Sequence, residues 1–177
     1  SLIQISLFLI LFCCLSGILR ANTDIYDSGG PLMPEQAAYD VTYYDLSVSV
    51  NPSDSSIAGS VLIKANIVQP MEYLFVVLDT LLEIHNVRQI HDSEEIISRE
   101  CKRDTGKVWI SLDRTYQPGQ KISYKISYSG RPLVALMPPW QGGFTWATTE
   151  DGSPWIATSC QGEGSDIWWP SKDHVSD

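Results

Sequence analysis

Basic residues are in short supply in this sequence. Twelve lysines and arginines stand against 21 aspartates and glutamates, a formal charge of −9 at neutral pH. A phosphate backbone is held by clustered Lys and Arg, so this balance argues against a nucleic-acid partner. Cysteine is rarer still, with four in the chain and none in a C-x-x-C spacing, which removes the usual thiolate metal site. The glycine pairs of WQGGF (140–144) and CQGEG (160–164) open no helix and are followed by no G-K-[ST], so they are not phosphate loops. Beyond the first 21 residues there is no amphipathic helical pattern of ten residues or more, and a helix-built domain is excluded on that ground.

What is present suits a packed domain. The hydrophobic share of 44% and charged share of 19% are ordinary for a chain that buries a core and too apolar for wholesale disorder. At 177 residues, one domain with an appended segment is expected. The appended segment is LIQISLFLILFCCL, Leu2 to Leu15, broken only by Gln4 and Ser6. It is shorter than the roughly 20 residues of a spanning helix. It fits the apolar region of a secretory signal, with cleavage points in LSG (15–17) or LRA (19–21). A lipoprotein signal on Cys13 or Cys14 is the alternative, although Phe12 and Cys13 are poor matches to the small residue such a site needs. Neither an initiator Met nor a basic region precedes the run. Residues 1–21 are therefore read as an N-truncated signal peptide of an exported protein, periplasmic, extracellular or lipid-anchored, with no stable membrane span.

Residues 22–38, with DSGGPLMPE, read as an exposed Gly/Pro-rich lead-in. From there the period becomes two. Tyr44, Leu46, Val48 and Val50 share one face of a strand, and Ile57, Val61, Ile63, Ala65 and Ile67 share one face of the next. Asn51-Pro52-Ser53-Asp54 supplies the turn between them. YLFVVL (73–78) is continuously apolar, as expected of a strand covered on both faces. Leu82 to Ile90 alternates loosely, and Lys107 to Leu112 follows the turn at Asp104-Thr105-Gly106. Ile122, Tyr124, Ile126 and Tyr128 alternate cleanly with Lys121, Ser123, Lys125 and Ser127. A last pair, 143–149 and 155–158, flanks Asp151-Gly152. Short strands with turns every eight to twelve residues predict an all-β fold, a sandwich or curved pair of antiparallel sheets.

Candidate chemistry is sparse. His85 and His91, six residues apart, are expected on one face of a strand, but a zinc site needs three or four converging ligands and no third is close in sequence. His174 has no activated serine or cysteine motif nearby. Cys101 and Cys160 could pair in an exported protein or remain free, since sequence does not fix their separation. Trp140, Trp146, Trp155, Trp168 and Trp169 crowd into thirty residues. They suit a core or a domain interface, with a sugar-stacking platform as the alternative.

The order GRP, PPWQGGFTW, DGSPWIATSCQGEG and WWPSKDH from Arg131 onward resembles the amino-terminal domain of the aminopeptidase N family of zinc metallopeptidases, most of all its secreted bacterial members. YDVTYYDLSVSV, IAGSVLIKA, LDTLLEIHNV and PGQKISYKISYSG agree, so the resemblance spans residues 39–177. It implies a saddle-shaped antiparallel β-domain lying over a catalytic domain that removes amino-terminal residues from peptides. In that family H-E-x-x-H and a downstream glutamate hold zinc and activate water. Neither that motif nor G-x-M-E-N occurs here. The resemblance thus implies a fragment cut at the start of the catalytic domain, inactive alone, with no cofactor of its own and Zn²⁺ in the parent's missing part. Its partners would be that domain and a peptide substrate.

The family's β-domain also lends a Gln or Glu to the substrate's free amine. The matching position is Gln161, flanked by Gly162, Glu163 and Gly164. An amide oxygen can accept from an ammonium group, without the charge-assisted strength of a carboxylate. WWPSKD resembles the family's Pro-Cys-x-Asp-x-Pro box at Pro170 and Asp173, with Ser171 in place of cysteine and Val175 in place of the last proline. Trp168, Trp169, Pro170 and Asp173 are the candidates for the seam with the catalytic domain. A non-catalytic interaction module and a tryptophan-rich carbohydrate-binding sandwich are the alternatives.

Overall fold

The computed structural model describes residues 28, 30–91 and 94–176. The segment read as a signal peptide lies outside the described residues. A single helical turn, α1 (Pro34–Ala37), is followed by ten strands among the described residues: β1 (Tyr39–Asn51), β2 (Ser56–Ile67), β3 (Met71–Val77), β4 (Leu82–His91), β5 (Glu94–Ser98), β6 (Cys101–Asp104), β7 (Lys107–Tyr116), β8 (Lys121–Gly130), β9 (Gly143–Thr148) and β10 (Pro154–Ser159). They form three sheets in the orders β1-β2-β8-β4-β5, β3-β7-β6 and β10-β9. All strand pairs are antiparallel. The all-β expectation is met.

The period-two strands form the centre of the largest sheet. Val61, Ile63 and Ala65 of β2 stand opposite Ile126, Tyr124 and Ile122 of β8, and all six are buried. Leu74 and Val76 of β3 with Val108 and Ile110 of β7 close the other side of this core. Each such side chain contributes about 1.5–3 kcal/mol by leaving water. In β3, Leu74, Phe75 and Val76 are buried in succession, as a continuous apolar run predicts. The outward-turned Phe75 lies edge-on to Trp109 at 5.3 Å, and its carbonyl accepts the Tyr39 hydroxyl.

The loose alternation of β4 has a local cause. Its pairing with β8 shifts register between Ile84 and Asn86, so His85 is an extra residue in a bulge. Buried positions change from Leu82 before it to Val87 and Gln89 after it. The expectation that His85 and His91 share a face is therefore corrected. His85 meets Ser129 on the outer side at 2.5 Å, whereas His91 follows the parity of Val87 and Gln89.

A second cluster, built on Ile57, Leu78, Leu82, Tyr128 and Phe144, carries the β9–β10 hairpin. Aromatic contacts join it to the first. Phe144 stacks on Trp146 at 5.4 Å and meets Trp168 at 6.3 Å. Trp168 then meets Trp169 at 6.3 Å, and Trp169 meets Tyr44 at 4.7 Å.

The lead-in differs from expectation in its second half. Gln36 and Ala38 are buried, because the Gln36 amide donates to the Lys172 carbonyl (2.7 Å) while its oxygen accepts the Met33 N–H (2.9 Å). The segment after β10 is drawn inward as well. Val77 and Ser171 exchange two backbone hydrogen bonds (2.8 and 3.1 Å), and the Lys172 ammonium donates to the Tyr39 carbonyl (3.0 Å).

Candidate functional site

The turn after β10 carries the residues singled out from sequence. Gln161 and Gly162 are exposed. Gly164 N–H closes the turn on the Cys160 carbonyl (3.2 Å), and the Ser28 N–H donates to the Gly162 carbonyl (2.7 Å). Glu163 is half-buried rather than solvent-facing. Its Oε1 accepts the Gly142 N–H, while its Oε2 is buried without a hydrogen-bond partner. Glycine at 142 is required above all by the Ser159 carbonyl, which a Cβ there would strike, and the Glu163 carboxyl crowds the same place.

The seam candidates already have contacts within the domain. Trp168 and Trp169 are half-buried in the aromatic chain, and Pro170 is buried. Asp173 accepts from the Ser28 hydroxyl at 2.6 Å. Burial raises its pKa, the Ser28 bond opposing the shift. Of the five clustered tryptophans, Trp140 (79% exposed) and Trp155 (51%) keep large free faces. Leu136, 82% exposed, and Met137 share the 136–140 loop with Trp140, a concentration of exposed apolar side chains that Trp168 and Trp169 do not match.

Beside the turn lies a cleft of about 620 Å³ that sequence reasoning missed, lined by Phe75, Val77, Asp79, Asp166 and Asp173. Burial, then the nearby charges of Asp173 and Asp79, push the Asp166 carboxyl up to about 7. Asp79 is raised by burial too, opposed by its bond from the Leu81 N–H (2.7 Å) and by Arg103. The Arg103 guanidinium donates to the carbonyls of Leu78 (2.7 Å), Asp79 (2.6 Å) and Leu82 (2.6 Å), fixing the β3–β4 connection. An aspartate ending the apolar run YLFVVL was the available signal for Asp79. For Asp166 it was a lone acid beside two tryptophans.

No group of three or more His, Cys, Asp or Glu side chains among the described residues is arranged to hold a metal ion. These residues therefore do not fit a zinc ion, and the three aspartates are not a ligand set. Cys101 and Cys160 are free thiols, the first exposed and the second half-buried. Among the described residues no helix is long and apolar enough to cross a membrane.

The described residues thus form an antiparallel all-β domain with one exposed polar turn after its last strand. The chain belongs to the Peptidase M1 N-terminal domain family, whose model matches residues 40–174. Solved structures share the fold. A mutant M1 zinc metallopeptidase from Deinococcus radiodurans, bound to a Tyr-Ser-Ala substrate, is 20% identical with a TM-score of 0.59, covering 85% of this chain and 33% of that one. The M1 zinc metallopeptidase of the same organism, 18% identical, has a TM-score of 0.57, covering 85% of this chain and 31% of that one. LTA4 hydrolase from yeast, 15% identical, has a TM-score of 0.56 over 77% of this chain and 21% of its own. This chain thus spans about a third or less of the length of these structures. No curated protein matches the sequence.

Proposed function

We propose that the chain is the substrate-cleft domain of a zinc-dependent aminopeptidase, contributing Gln161 as an acceptor for the free amino group of a peptide substrate. The observation that carries this reading is the Gln161 turn. Its side chain is exposed, while neighbouring residues anchor the turn through Ser28 and Gly142. An amide held out on a braced turn can accept from an ammonium group without first being ordered, which favours binding.

Zinc and the hydrolytic step belong, on this reading, to another part of the parent protein. On this reading the half-buried Trp168 and Trp169, with neighbouring Pro170 and Asp173, lie on the side that adjoins that part. The apolar run Leu2–Leu15 supports export of the parent, which N-terminal sequencing of the mature protein would test by finding a start near residue 18 or 22.

Gln161→Ala in the full-length protein, assayed on amino-acid arylamides, tests the amine contact. A hydrogen bond to a charged group is worth about 1.5–3 kcal/mol, so KM should rise by at least about tenfold. An unchanged KM would reject the role of Gln161.

A further inference from the structure

We propose that Glu163 is a positioning residue for Gln161, an inference that rests on the reading of Gln161 given above. The two residues lie on the same five-residue turn but face different ways. Gln161 is exposed, whereas Glu163 is drawn toward the 137–142 loop, where its carboxylate accepts the Gly142 N–H. That loop is itself a closed reversal, with Gln141 N–H donating to the Met137 carbonyl at 2.9 Å. Gly142 lies against both the Glu163 carboxyl and the Ser159 carbonyl, so the loop, the end of β10 and the turn meet at this one glycine.

The contact has a cost that points to its purpose. Only one carboxylate oxygen is satisfied, and Oε2 is buried without a partner. A buried acceptor left unpaired is destabilising, and a side chain serving stability alone would gain by leaving it in water. What the arrangement achieves is register. Ser28 holds the turn at the Gly162 carbonyl from one side, and Glu163 holds it to the 137–142 loop from the other. The two residues that follow Gln161 are thereby both anchored, Gly162 to Ser28 and Glu163 to Gly142. Without the Glu163 brace the turn would pivot on its Ser28 anchor, and the amide would have to be ordered again each time substrate binds.

The test is a double-mutant cycle in the full-length protein on an amino-acid arylamide. Glu163→Ala should raise KM by about three- to tenfold with kcat little changed, the effect of losing one hydrogen bond's worth of pre-organisation. Glu163→Gln keeps an acceptor for the Gly142 N–H and should restore KM to within about twofold of the parent. In a Gln161→Ala background, Glu163→Ala should add nothing, because a residue acting through Gln161 has no further effect once Gln161 is gone. Should Glu163→Ala fail to fold, Glu163→Asp, one methylene too short for the contact, takes its place in the cycle.

Additive effects of the two substitutions would overturn the inference while leaving the amine contact standing. So would Glu163→Gln behaving like Glu163→Ala, which would show that the charge matters and not the brace. If Gln161→Ala itself leaves KM unchanged, the reading of Gln161 falls and this inference falls with it.

Discussion

The Ser28 hydroxyl donates to the Asp173 carboxylate at 2.6 Å, a contact between residues 145 apart in sequence. The same serine's N–H holds the Gly162 carbonyl. One residue before the first strand thus fixes both the turn that carries Gln161 and the segment that follows it. Ser28→Ala is expected to lower stability to urea by about 1 kcal/mol. The hydroxyl favours the ionised form of a carboxyl whose pKa burial has raised. The loss should therefore be larger at pH 8, where Asp173 is charged, than at pH 4.

Asp166 gives a pH dependence of definite sign. Its carboxyl is raised from the ordinary 3.8 to about 7, chiefly by burial. The folded chain therefore holds a proton that the unfolded chain has already released. Stability attributable to this group is greatest below about pH 4 and falls as pH rises toward 7. Asp166→Asn removes that penalty, so thermal denaturation should show the variant gaining about 2–4 kcal/mol on the parent at pH 8 and little at pH 4. An advantage that does not change with pH would show that Asp166 does not titrate in this range.

Arg103 closes the β3–β4 connection through three carbonyls, met from two separate nitrogens of its planar fork. Arg103→Lys should cost about 1–2 kcal/mol, allowing for the solvent that reaches this half-exposed site. Because Arg103 also lowers the pKa of Asp79, Arg103→Met should raise the apparent titration of Asp79 further, an effect readable by NMR of its carboxyl carbon.

The strands were legible wherever inward positions repeat every second residue, as in Ile122, Tyr124, Ile126 and Tyr128, all buried. Two features broke that simple code. His85 adds one residue to β4 and reverses its parity. Gly59 interrupts the apolar series of β2 because the Ser47 carbonyl of β1, first, and the Tyr128 ring of β8 crowd the place where a Cβ would sit. The extra place of His85 shows only against the partner strand β8, and the crowding at Gly59 comes from β1 and β8, so neither could be read from the strand alone.

The candidate site was legible only as a position. Gln161 was found by its place in an ordered string of motifs, and it does stand exposed. The inward turn of Glu163 depends on a contact 21 residues away, and the anchoring by Ser28 joins the turn to the far side of the whole strand series. Local pattern carries no trace of such contacts. The tryptophans of the WWPSKD stretch show the same limit, since composition marks them as buried or interfacial without saying which surface they meet.

The paired backbone bonds between Val77 and Ser171 have a consequence beyond the site. β3 is the outermost strand of its sheet, and an outermost strand offers unpaired amides and carbonyls to any extended segment that passes. With Ser171 in place, the last residue of that strand is occupied by the protein's own chain. The segment that follows the Gln161 turn therefore also acts as a guard against sheet extension, denying a second molecule the place where it would begin to pair.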